Sequence, residues 1–98
     1  MVAWSRVCMV DDVPEGGVAG FGDLLVSRIG GEVRVTARKC THADADLSCG
    51  FAGPDGVRCP LHLSVFDTRD GRPLNPPATE PLRTYNVKID GGGVYVEQ

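Results

Sequence analysis

The sequence predicts an all-β fold, a small antiparallel β-sandwich or barrel. Thirteen glycines and seven prolines divide the 98 residues into short pieces. Several of those pieces alternate apolar and polar residues, as strands with one face in water do. No apolar pattern of helical period continues for more than about two turns. A chain of this length has room for one domain, expected to span residues 1–98.

The clearest strand signals flank two glycine-rich turns. Leu24–Ile29 is a short apolar run that ends at Gly30-Gly31, a dipeptide suited to a tight hairpin. Residues 32–38 then alternate between apolar and polar side chains, and residues 84–90 do the same before a run of glycines. Both regions therefore predict antiparallel hairpins. The other predicted strands span residues 2–10, 63–67 and 94–97.

Two segments do not fit this strand pattern, residues 41–56 and residues 72–81. The first is long and polar, and the second is dense in proline. Long ordered loops are uncommon in compact domains and usually carry function. We therefore expect the first segment to carry a binding site and the second to lie against it as a stiff cover.

Composition and charge exclude several classes of function. The net charge is −3 and no run of lysine or arginine occurs, so neither nucleic acid nor an anionic membrane is expected as a partner. No apolar stretch approaches the roughly 20 residues of a membrane span, and residues 1–10 lack the leader of a secretory signal. The expected location is the cytoplasm, with reduced thiols. There, metal binding or catalysis explains the four cysteines better than disulfides do.

Each of the two histidines follows a cysteine at short spacing. Cys40 precedes His42 by two residues and, after sixteen intervening residues, Cys59 precedes His62 by three. Two such loops side by side would offer two thiolates and two imidazoles. Zinc accepts this donor set, although zinc fingers place both cysteines first and both histidines later. Alternating donors favour a two-iron cluster, in which thiolates hold one iron and imidazoles the other. A zinc-stabilised binding module is the alternative.

With these residues, the sequence resembles the Rieske ferredoxins of bacterial aromatic-ring hydroxylating dioxygenase systems. The family motif, Cys-x-His followed after a spacer by Cys-x-x-His, is matched at the four positions above. Further similarity lies in Leu47-Ser48-x-Gly50 and Phe66-Asp67, and in residues 12–16, 71, 77–78, 81–82 and 94–96. The resemblance covers nearly the whole chain.

The resemblance implies one Rieske-type [2Fe–2S] cluster as cofactor, with Cys40, His42, Cys59 and His62 as its metal ligands. It also implies a β-sandwich or barrel of Rieske type. In that fold, a two-loop cluster-binding subdomain is expected at about residues 38–67, and the proline-rich loop at about residues 72–81.

The function implied is electron transfer, without catalysis by this chain alone. A flavin-dependent ferredoxin reductase would supply one electron, and a terminal oxygenase would receive it. A monomer is the expected state, because a carrier must release its partners quickly. The small subunit of assimilatory nitrite reductase resembles this family as well, and is the rival assignment. A complete oxygenase is excluded by the length of the chain.

Departures from the family pattern concern the surroundings of the cluster. Respiratory and photosynthetic relatives join their two loops by a disulfide, which Leu61 precludes here and which leaves Cys49 without its partner. High-potential relatives also place a serine and a tyrosine hydroxyl near the cluster. This chain keeps Ser64 but has Phe66 in place of the tyrosine. With one hydroxyl fewer and no disulfide, the cluster is expected to have a reduction potential in the lower half of the Rieske range of about −150 to +300 mV.

Three further residues have simpler interpretations. Cys8, on the first predicted strand, is expected to be a buried small hydrophobe. Asp44 and Asp46 follow His42 in the same loop. This loop is interpreted either as solvated or as an acidic patch that attracts a basic partner.

Overall fold

The computed structural model describes residues 3–41, 45–61, 64–76 and 78–97. In this part of the chain no α-helix occurs, and two short 3₁₀ turns span Val10–Asp12 and Leu47–Cys49. The all-β prediction is confirmed. No helix among the described residues is long and apolar enough to cross a membrane. The strands are β1 (Trp4–Met9), β2 (Gly17–Phe21), β3 (Leu24–Ile29), β4 (Glu32–Ala37), β5 (Phe51–Gly53), β6 (Gly56–Arg58), β7 (Val65–Phe66), β8 (Thr84–Tyr85), β9 (Val87–Asp90) and β10 (Gly93–Glu97).

The strands form three antiparallel sheets, in the orders β1-β10-β9, β2-β3-β4-β8 and β5-β6-β7. The first two sheets enclose one buried cluster, which we call the sandwich core: Cys8, Val13, Val26, Val35, Val94 and Val96. The third sheet lies over a second cluster, which we call the loop core: Leu25, Cys40, Ala45, Leu47, Val57, Cys59, Phe66, Ala78 and Leu82.

Strand β3 serves both cores, which explains the apolar run Leu24-Leu25-Val26 at its start. Leu25 packs in the loop core and Val26, pointing to the opposite face, packs in the sandwich core. A strand that is buried on both faces has no polar side to alternate with. The turn that follows β3 is a tight hairpin as predicted, since Gly30 and Gly31 have φ of 61° and 78°.

The single strand predicted at residues 84–90 is wrong, because the chain changes sheets within it. Strand β8 pairs with β4, whereas β9 pairs with β10, and Asn86 stands between them. The alternation of apolar residues does not survive the crossing, and Ile89 is 49% exposed. Local periodicity cannot report a change of pairing partner.

The predicted loop at residues 41–56 also contains regular structure. After the 3₁₀ turn at Leu47–Cys49, β5 and β6 form a hairpin, and β6 then pairs with β7. Strands of two or three residues are too short for a period of two to be recognised. The strand predicted at residues 63–67 is correspondingly reduced to Val65–Phe66, and Leu63 lies outside the described residues. Strand β2, with its two glycines, was not predicted.

Candidate metal centre

The two loops that carry the predicted ligands are closed in the same way. We call them the first ligand loop (residues 40–45) and the second ligand loop (residues 59–64). The backbone N–H of Cys40 donates to the carbonyl of Ala45 at 2.8 Å, and that of Cys59 donates to the carbonyl of Ser64 at 2.9 Å. In each loop a cysteine therefore starts a turn that encloses four residues.

Both thiols of the predicted ligand set are inaccessible to solvent. Cys40 is 0% exposed and Cys59 is 2% exposed, and both belong to the loop core. A pair of thiolates in such surroundings needs compensating charge, which a metal supplies. The donor chemistry therefore fits an iron–sulfur group held between the two loops.

The two predicted histidine ligands, His42 and His62, lie outside the described residues. Among the residues that are described, no three histidine, cysteine, aspartate or glutamate side chains are grouped to hold a metal. The structure thus brings the two cysteines into one core and leaves the assignment of the histidines to the sequence.

An ion pair that the sequence analysis missed holds the base of the first ligand loop. Arg38 binds Asp46 in bidentate fashion, with Nε–Oδ1 and Nη2–Oδ2 distances of 2.9 Å each. The same carboxylate accepts hydrogen bonds from the N–H of Ser48 at 3.0 Å and from its hydroxyl at 2.7 Å. Hydrogen bonds from Arg38 and then from Ser48 hold the pKa of Asp46 well below its usual range.

The Asp46 carboxylate is bound by Arg38 and Ser48 within the chain, a role that neither interpretation of this loop included. The solvated loop and the acidic docking patch both stay predictions. Asp44 lies outside the described residues. The order Asp46-Leu47-Ser48 was the available signal, because aspartate commonly caps the backbone two residues further along. Arg38 carries no comparable signal in the sequence.

The proline-rich segment (residues 72–81) contacts the first ligand loop, as predicted, and also the second, which was not predicted. The Thr41 hydroxyl donates to the carbonyl of Glu80 at 2.7 Å. On the other loop, the N–H of Ala78 donates to the hydroxyl oxygen of the buried Ser64 at 2.9 Å. A hydroxyl that accepts this bond keeps its own proton to donate. The donor role predicted for Ser64 toward the cluster stays a prediction.

A second ion pair follows the second ligand loop. Asp67 is 4% exposed, and its carboxylate accepts hydrogen bonds from the side chain and backbone of Arg69. The side-chain hydrogen bond from Arg69 lowers the pKa of Asp67 against the opposing effect of burial. This pair closes the turn after β7.

The remaining cysteines are separate from the candidate centre. Cys8 is 7% exposed in the sandwich core, as predicted, and burial followed by the charge of Asp12 raises its pKa. Cys49 is exposed and forms no disulfide.

Residues 3–86 match the family model described as the Rieske [2Fe–2S] domain. The chain belongs to this Rieske family. Its cofactor is accordingly a Rieske-type [2Fe–2S] cluster, in place of the zinc alternative.

Curated Rieske relatives match this chain over almost its whole length. It is 36% identical, over 92% of its residues and 89% of the relative, to the 3-phenylpropionate/cinnamic acid dioxygenase ferredoxin subunit of Escherichia coli. The ferredoxin component of the naphthalene 1,2-dioxygenase system of Pseudomonas aeruginosa is also 36% identical, over 96% of this chain and 94% of the relative.

Solved structures agree with the Rieske fold. A ferredoxin of Sphingomonas yanoikuyae superposes with a TM-score of 0.92 at 33% identity, covering 98% of this chain and 99% of that one. A chain from a complex of reduced oxygenase and oxidized ferredoxin in carbazole 1,9a-dioxygenase gives 0.84 at 35% identity, covering 95% and 91%. A Mycobacterium tuberculosis protein described as the small subunit of an NADH-dependent nitrite reductase gives 0.85, but at 21% identity it shares the fold alone.

Proposed function

We propose that this chain is a one-electron carrier that takes electrons from a flavin-dependent ferredoxin reductase and passes them to a terminal oxygenase. The Rieske cluster supplies the chemistry, since it accepts and returns one electron. Cys40, His42, Cys59 and His62 are the proposed ligands. The chain itself carries out no catalysis.

The observation that carries this proposal is the matched placement of two buried thiols. Cys40 and Cys59 begin two turns that are closed by equivalent hydrogen bonds, and both thiols lie in one core. Each turn encloses a histidine in the sequence, His42 in one and His62 in the other. With these histidines as ligands, the two loops would together offer two thiolates and two imidazoles, the donor set of a Rieske cluster.

The names of the relatives support the carrier over a fixed enzyme subunit. Relatives at 36% identity are ferredoxin components of dioxygenase systems, and the 35% identical structure comes from a complex of oxygenase with ferredoxin. The nitrite reductase likeness is limited to the fold.

We propose one Rieske domain over residues 1–98, with a cluster-binding subdomain at about residues 38–67 and the proline-rich loop at about 72–81. We further propose a monomer in the cytoplasm. Cys8 and Cys49 form no disulfide, which suits a reducing compartment.

The cysteines provide a matched test of the ligand set. The protein should be purified without air, and its visible absorption and low-temperature EPR recorded before and after dithionite. We expect a coloured protein that gives the anisotropic signal of a mixed-valence cluster on reduction. Cys40→Ser and Cys59→Ser should abolish both signals, whereas Cys8→Ser and Cys49→Ser should keep them. A colourless wild-type protein that stays without iron after reconstitution would contradict the proposal.

The mode of association separates the carrier from the nitrite reductase subunit. Gel filtration of an extract from cells that produce the protein should place the carrier in a fraction of its own size. Elution together with a large sirohaem-containing partner would instead favour the subunit.

A further inference from the structure

We propose that Arg38, Asp46 and Ser48 form a clamp that holds the first ligand loop in the geometry needed to bind the cluster. Arg38 and Asp46 are then positioning residues for electron transfer. This inference rests on the proposed function, because it assumes that Cys40 is a ligand.

The clamp closes the loop from both sides of its base. Arg38 stands two residues before Cys40, and Asp46 directly follows Ala45, whose carbonyl accepts the N–H of Cys40. Beside this bond, Lys39 and Asp46 form an isolated antiparallel bridge, and the N–H of Leu47 donates to the carbonyl of Arg38 at 2.9 Å. The bidentate ion pair is therefore the side-chain part of a hydrogen-bonded stem.

Arg38 also joins this stem to the β-sandwich. Its backbone N–H donates to the carbonyl of Asp23 at 3.0 Å, and Nη1 donates to the carbonyl of Gly22 at 3.1 Å. Both acceptors lie in the turn between β2 and β3. Gly20 gives the guanidinium its space, because a Cβ at that position would collide with it. The base of the first ligand loop is thus joined to the β2–β3 hairpin through both the backbone and the side chain of Arg38.

The geometry of the pair suits positioning better than bulk stability. Its side chains are 31% and 41% exposed, and ion pairs this accessible contribute little to the free energy of unfolding. A planar guanidinium bound at two points nevertheless fixes direction, which lysine cannot do. Outer contacts that orient metal-binding groups commonly change metal affinity by about 10–100-fold.

The pair also balances charge near the cluster. As an ion pair it contributes no net charge, but removal of one member leaves the other. A remaining cation favours the reduced, more negative cluster and raises its potential, whereas a remaining anion lowers it. A clamp that acts on the cluster therefore predicts shifts of opposite sign for its two members.

The experiment compares Asp46→Asn, Arg38→Gln and the double variant with wild type. Two quantities are measured on the iron-loaded proteins: the rate of bleaching in excess chelator and the midpoint potential. We expect each single variant to lose the cluster about tenfold faster. The double variant should lose the cluster no faster than the single variant that loses it faster, because both changes break the same contact. The potential should rise for Asp46→Asn and fall for Arg38→Gln.

Two controls separate positioning from general damage. Glu32→Gln removes a carboxylate from the exposed Arg34–Glu32 pair at the other end of β4, and should leave both quantities unchanged. Arg38→Lys keeps the charge but not the bidentate contact, and should speed bleaching without moving the potential. This variant also keeps the test open if Arg38→Gln fails to fold.

Cluster loss at the wild-type rate in Asp46→Asn and Arg38→Lys would overturn the clamp, as would potential shifts of the same sign in the two charge variants. A wild-type protein that holds no iron would overturn the proposed function, and the role of the clamp with it.

Discussion

At the scale of single residues, Gly56 is a position where only glycine fits. Its φ is 141°, and a Cβ there would collide with the carbonyl of Phe66. Its partner across the hairpin, Gly53, has nothing within 4 Å of the same added atom. The two glycines form a matched pair for mutation.

We expect Gly56→Ala to lower the free energy of unfolding by at least about 2 kcal/mol, because the backbone conformation and the collision both oppose alanine. Gly53→Ala should change it by less than about 1 kcal/mol. Urea unfolding of the iron-loaded variants measures both. Equal effects at the two positions would show that the contact between β6 and β7 is not the constraint.

Asp67 is the residue at which stability should depend on acid. Its folded pKa lies below the usual value, so its ionised form adds stability at neutral pH. That contribution begins to fall near the unfolded pKa of about 3.9 and is lost as pH drops through the folded pKa. Asp67→Asn removes the titration.

Wild type should therefore lose more stability than Asp67→Asn between about pH 5 and pH 3. The measurement is urea unfolding across this range. Asp55→Asn, in the exposed turn between β5 and β6, serves as the control and should follow the wild-type curve. Parallel curves for wild type and Asp67→Asn would contradict the assigned effect of Arg69.

At the scale of elements, the proline-rich segment acts as a strap across the two ligand loops. Besides its bonds to Thr41 and Ser64, it pairs with β7. The N–H of Leu74 donates to the carbonyl of Val65, and the N–H of Val65 donates to Asn75 Oδ1, both at 2.7 Å. The strap connects loops that this chain does not join by a disulfide.

Thr41→Val removes the hydroxyl that donates to Glu80 while preserving the shape of the side chain. We expect hydrogen exchange of the strap amides, including that of Ala78, to become about twofold faster, as loss of ~0.5 kcal/mol implies. Thr79→Val, an exposed change within the strap, should leave exchange unchanged. The prediction fails if the two variants behave alike.

At the scale of the whole molecule, the two cores should respond differently to loss of the cluster. The loop core contains both Cys40 and Cys59, whereas the sandwich core contains only Cys8 among the cysteines. Metal binding is coupled to folding where the ligands belong to the same packed unit.

Removal of iron with a chelator should therefore unfold the loop core before the sandwich core. We expect amide exchange in β6 and β7 to accelerate at least about tenfold, while exchange in β1 and β10 stays close to that of the iron-loaded protein. Hydrogen exchange read by mass spectrometry measures both, and reconstitution with iron and sulfide should restore protection. Equal acceleration in both cores would show that the molecule unfolds as one unit.

Much of this architecture could be predicted because its signals are local. The hairpin at Gly30-Gly31 follows from two residues that tolerate positive φ, and Leu24–Ile29 was predicted with the bounds that the structure has. The ligand motif is likewise carried by four residues at short spacing. The potential in the lower half of the Rieske range stays a prediction.

By itself, the sequence determined the fold class, the hairpin at Gly30-Gly31 and the ligand set proposed for the cluster, because residue type and short spacing encode them. Only the tertiary structure decided where the chain changes sheets at Asn86, and that β5, β6 and β7 form a sheet of their own. It also decided that Arg38 forms an ion pair with Asp46 and that the proline-rich segment is hydrogen-bonded to both ligand loops. The physical reason is that these features depend on which segments pair or touch in space, or on strands of two or three residues, and neither leaves a period or motif in the sequence.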